Sequence, residues 1–132
     1  MILEKISSIR KDLNNLMPVL ASVRLELQDA KKDITLNGKT LRSANLEQSS
    51  KFGYYDEIRS YLNTLSNFIS IKLEEKKGIL LDYISRNSSI DYGERAREKL
   101  IESDPDYVTL KLKKLEVDEV LDYAKSISEQ FR

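Results

Sequence analysis

The side chains in this sequence best placed to do chemistry are cationic. Lys72, Lys76 and Lys77 form one cluster, and Arg86 follows Tyr83 by three residues. Residues three or four apart share one face of a helix, so each group can act together. Two further clusters sit beside tyrosines: Arg95 and Arg97 after Tyr92, and Lys111, Lys113 and Lys114 after Tyr107. Basic tracks next to flat aromatic rings are the ingredients of single-strand nucleic-acid binding, with phosphates on the cations and bases on the rings. Acids are interleaved throughout the chain, and a solvated helix face has the same composition.

Covalent and metal chemistry find little support. The chain has no His and no Cys. A serine nucleophile therefore lacks its usual base, and thiol chemistry and thiolate or imidazole metal sites are excluded. The four glycines, Gly38, Gly53, Gly78 and Gly93, stand too far apart to form a phosphate loop. Asp118 and Asp122 share a helical spacing that a metal or an acid–base pair would use. Residues 91–132, however, carry eleven acids and eight bases, which reads as a solvated face. No enzyme activity, cofactor or small-molecule substrate is expected. Four tyrosines follow an aspartate, at Tyr83, Tyr92, Tyr107 and Tyr123. They read as core-edge rings with the hydroxyl in water.

The elements that must position these side chains are helices. Ile2, Ile6, Ile9, Leu13, Leu16, Leu20, Val23, Leu27, Ala30 and Ile34 recur in an unbroken 4-3 spacing. Such a repeat keeps one apolar seam on one helix. Leu3, Met17 and Val19 widen the seam beyond a two-stranded zipper, toward a bundle helix. Pro18 predicts a kink, or two abutting helices on one face. Asn37-Gly38 predicts a turn. Residues 39–53 are ambiguous.

A second helical segment is predicted from about Tyr54 to Arg86. Tyr55, Ile58, Leu62, Leu65 and Ile69 define its seam, which continues through Lys72 and Lys76 to Ile79 and Tyr83. Either a stutter hands the core face to Leu73 and Leu80, or the lysines open the seam. Asp91-Tyr92-Gly93-Glu94 has the spacing of a capping box for a short helix. Asp104-Pro105-Asp106 reads as cap, first-turn proline and dipole-favoured acid. The last helix follows, with Val108, Leu112, Leu115, Val120, Ala124, Ile127 and Phe131 as its apolar residues.

With 132 residues, 33% charged and only six Gly and Pro together, the chain reads as one all-α domain. The expected form is an elongated helical bundle of about four helices with coiled-coil-like packing. The seam residues Ile6, Ile9, Leu13, Leu16, Leu20, Val23 and Leu27 are the candidate oligomer or partner interface. No apolar run is long enough to span a bilayer and no apolar leader follows Met1, so a cytoplasmic protein is expected. The 22 basic and 22 acidic residues balance, whereas nucleic-acid binders usually carry a basic excess.

From about Asp29 onward, the order of features resembles the UvsY family of phage recombination mediators. Lys31-Lys32-Asp33-Ile34-Thr35-Leu36, followed by Leu41, is similar to an early step of that family. Leu81-Asp82-Tyr83 resembles the motif that closes the family's basic helix, and Glu102-Ser103-Asp104-Pro105-Asp106 resembles the acid-rich turn before its last helix. Gly78-Ile79-Leu80 stands where the family carries bases, and Ile84 replaces a tyrosine. The resemblance implies a homo-oligomer that holds single-stranded DNA and helps load a RecA-like recombinase. Lys72, Lys76, Lys77 and Arg86 would then be the phosphate contacts. The competing reading is a helical adaptor or inhibitor that binds only protein, through an apolar stripe laid into a partner's groove.

Overall fold

The computed structural model describes the backbone of residues 2–36, 41–87 and 93–130, and the side-chain surroundings of residues 2–31, 53–86 and 93–130. Five helices and one 3-10 turn account for nearly all of them: α1 (Ile2–Ile9), the turn Leu13–Asn15, α2 (Leu16–Leu36), α3 (Leu41–Asn87), α4 (Glu94–Glu102) and α5 (Pro105–Gln130). The fold is all-α, as expected from the sequence. At 1.5 Å per residue, α3 alone spans about 70 Å.

The opening seam is interrupted, but upstream of the proline. Helix α1 ends at Ile9, and the carboxylate of Asp12 accepts from the Asn14 amide to start the 3-10 turn. Asp and Asn side chains compete with the helical backbone for hydrogen bonds, which explains a break at Asp12–Asn15. Pro18 instead lies in the first turn of α2, where no intrahelical N–H bond is lost. Two abutting helices therefore carry the seam.

The core is built inside one chain. Ile6, Ile9, Leu16, Leu20, Val23, Leu27 and Ala30 are fully buried. They pack with Ile58, Leu62, Leu65 and Ile69 of α3 and with Val117, Val120, Leu121, Ala124 and Ile127 of α5. Leu13 is half-buried against the same cluster. Within this chain the candidate oligomer or partner interface, Ile6, Ile9, Leu13, Leu16, Leu20, Val23 and Leu27, packs against α3 and α5. Leu3 and Val19 join the core, whereas Met17 is exposed.

Polar bridges tie the packed helices together. Arg24 of α2 lies 2.8 Å from Glu116 and 3.8 Å from Glu119 on α5. The Tyr54 hydroxyl of α3 donates to the Glu26 carboxylate of α2. Burial, reinforced by Glu26, pushes the Tyr54 phenol well above its ordinary value. Helices α3 and α5 run antiparallel, since Ser66 meets Asp118 while Lys76 meets Asp106.

Helix starts follow local chemistry in one case and depart from it in another. Asp104 accepts from the Tyr107 amide at 3.0 Å, capping α5 with Pro105 in its first position. Asp91 and Tyr92 of the expected capping box lie outside the described residues. Gly93 is the N-cap of α4, without a side-chain cap, and Glu94 is the first helical residue. Asn37-Gly38 lies outside the described residues, as does Phe131. Helix α3 begins at Leu41, well before the predicted Tyr54. No proline interrupts residues 41–87, and Gly53 weakens a helix by only about 1 kcal/mol.

Candidate interaction surface

Beyond Ile69 on α3 and before Val117 on α5, the bundle thins to an arm. Its parts are the second half of α3, all of α4 and the first half of α5. Between residues 70 and 116, Ile101 is the buried hydrophobic residue of the arm among the described residues. Seven large apolar side chains of this region are instead exposed: Ile71, Ile79, Tyr83, Leu100, Val108, Leu112 and Leu115. Ile79 and Tyr83 are each 63% exposed, Leu112 56% and Leu115 59%.

These exposures decide between the two readings of the α3 seam and sort the apolar residues of α5. On α3 the seam does not continue to Ile79 and Tyr83. Leu73 packs against the core instead, and Leu80 is half-buried, as a stutter requires. On α5 the apolar residues form two faces. Val117, Val120, Leu121, Ala124 and Ile127 face the core, whereas Val108, Leu112 and Leu115 recur at i, i+4 and i+7 on the far side.

The four expected phosphate contacts lie along the arm portion of α3, and three have carboxylate partners. Lys72 Nζ is 3.5 Å from Glu75 and sits 5.5 Å above the Phe68 ring. Lys76 reaches Asp106 of α5 at 3.6 Å. Arg86 pairs with Asp82 at 3.1 Å. Lys77 is half-buried and pairs with no carboxylate of the described residues. Exposed pairs of this kind contribute at most about 1 kcal/mol, so a denser anion can displace them.

The fold also brings to one level what the sequence keeps apart. The antiparallel register places Lys72 level with about Lys111, so Lys72, Lys76 and Lys77 stand at about the same height along the arm as Lys111 and Lys113. Lys111 lies 6.0 Å from the centre of the Tyr107 ring. Phe68 and Tyr107 thus each carry a lysine.

At the base of the arm a polar cluster joins α3 to α5. Ser66, only 6% exposed, donates to Asp118 at 2.5 Å. Lys114 donates to Asp118 at 2.7 Å and to the Ser66 hydroxyl at 3.3 Å. A Ser–Lys contact can be a nucleophile and its base. Here both groups donate hydrogen bonds to the Asp118 carboxylate, so the cluster fixes the α3–α5 register.

Burial pushes the Asp118 carboxyl up, but its hydrogen bonds from Lys114 and Ser66 outweigh this and hold it below its ordinary value. A carboxylate depressed in the folded state stabilises above its unfolded pKa, and that contribution fades as pH falls through the lower folded value. Asp118→Asn is therefore expected to cost about 1 kcal/mol at neutral pH. Urea unfolding should show the gap to the parent closing below about pH 4. A gap that does not change with pH would contradict this account. Sequence reading missed the cluster because its serine lies 48 and 52 residues from its partners.

Among the described residues, no group of acids is placed to hold a metal ion, and no helix is long and apolar enough to cross a membrane. Comparison with family models, with curated proteins and with solved structures finds no match to this chain.

Proposed function

We propose that this chain is a helical protein–protein interaction module that works without catalysis, and that the arm is the part that meets its partner. The observation that carries the reading is the crowding of seven exposed apolar side chains onto residues 71–115. Clustered exposed apolar surface marks an interaction site more often than scattered residues do. At roughly 200 Å² per large side chain, these seven expose on the order of 700 Å². A second copy of the chain is the simplest partner. Light scattering across a concentration series tests this, with an oligomer expected at micromolar protein. A monomer throughout would remove self-association.

A second reading is a recombination mediator that holds single-stranded DNA, as the resemblance to the UvsY family implies. The common height of Lys72, Lys76, Lys77, Lys111 and Lys113 along the arm, with lysines over Phe68 and Tyr107, supports it. Loading of a RecA-like recombinase belongs to this reading alone. Single-stranded binding should then weaken steeply with salt, each phosphate contact adding about 0.7 to the log–log slope. Replacing Lys72, Lys76 and Lys77 with Glu is expected to abolish binding and leave the helical content intact. No binding at low salt, or binding that survives the triple change, would sink the DNA reading without touching the first.

A further inference from the structure

Near the base of the arm, α1, Arg10 just after it and α3 frame a half-open pocket of about 130 Å³ lined by Ile6, Ser7, Arg10, Tyr61, Thr64 and Leu65. Its composition is graded. Ile6 and Leu65 are core residues and form an apolar floor. Ser7, Thr64 and Tyr61 add three hydroxyl groups to the walls. Arg10 is exposed, and no carboxylate of the described residues pairs with it.

Local charge favours an anion at the Arg10 end. Residues 4–12 carry Lys5, Arg10 and Lys11 against Glu4 and Asp12, a net of +1. The cavity lies beside the carboxyl end of α1, where free carbonyls repel anions. Two of those carbonyls are already engaged: Ser7 accepts from the Arg10 amide, and Ser8 accepts from the amides of Lys11 and Asp12. The Thr64 hydroxyl donates to the Ser60 carbonyl, so it offers only an acceptor to an occupant. Ser7 and Tyr61 can donate.

We propose that this cavity binds a small organic carboxylate, with its apolar body on Ile6 and Leu65 and its carboxylate on the Arg10 guanidinium. The volume is close to that of an engineered cavity of 150 Å³ which holds benzene, so a single ring or short branched chain fills it. A guanidinium meets a carboxylate through two parallel hydrogen bonds, and the serine and tyrosine hydroxyls can supply others. Inorganic phosphate offers the charge without the apolar body and matches only half of the site.

Benzoate is the probe, followed by amide and methyl NMR shifts of the full chain. Saturable shifts are expected at Ser7, Arg10, Thr64 and Leu65. Benzyl alcohol and inorganic phosphate at the same concentrations should leave those signals in place. Arg10→Met should weaken benzoate at least about tenfold, the usual worth of a charge-assisted hydrogen bond. Thr64→Phe should abolish binding by filling the space while Arg10 remains. Both positions are exposed, so neither change threatens the core. The proposal is overturned if benzoate gives no saturable shift at these residues, if phosphate matches it, or if it binds equally well to both variants.

Discussion

Leu20→Ala is expected to lower the unfolding free energy by about 2–5 kcal/mol, the usual cost of emptying a packed leucine site. The loss should be the same at every protein concentration. Leu20 is 1% exposed within a single chain, among residues of α2, α3 and α5. A seam shared between chains would behave differently, because dilution shifts an oligomer's apparent stability by mass action. Urea unfolding of parent and variant over a hundredfold range of concentration separates the two. A stability gap that shrinks on dilution would return the seam to an interface between chains. Ile9→Ala and Leu62→Ala belong to the same cluster, and their costs should not add independently to that of Leu20.

The seam was legible because burial follows helical period, and ten matches in one frame leave little freedom in which face is buried. The break within it was hidden for the same reason. The step from Ile9 to Leu13 to Leu16 keeps the 4-3 spacing across the 3-10 turn, so the apolar pattern carries no trace of it. Only Asp12, Asn14 and Asn15 hint at it, through their tendency to bond the local backbone.

Helix α5 shows the opposite case. Reading Val108, Leu112 and Leu115 together with Val120, Ala124 and Ile127 passes over a five-residue step from Leu115 to Val120. At 100° per residue that step turns the stripe by about 140°, enough to move it to another face. The phase shift is visible in the sequence, but only burial reveals which set is covered. The common height of the arm's lysines is less legible still. Lys72 and Lys111 become neighbours in level through the antiparallel register of α3 and α5, which the Ser66–Asp118 and Lys76–Asp106 pairs define. Contacts made over that separation leave no local signature.

Replacing Leu112 and Leu115 together with Glu is expected to reduce self-association by more than about 100-fold, since two central apolar anchors commonly carry 2 kcal/mol or more each. The fold should hardly respond. Both side chains point away from the core, and Glu is nearly as good a helix former as Leu, so unfolding should move by less than about 0.5 kcal/mol. Sedimentation equilibrium reads the first quantity and urea unfolding the second. Ile79→Glu with Tyr83→Glu makes the same test on the α3 side of the arm. If only the α5 pair disrupts assembly, copies meet through one stripe. If either pair does so, both sides of the arm take part, and the contact joins unlike faces. Loss of stability without loss of assembly would place these side chains in the service of the fold, against the reading proposed here.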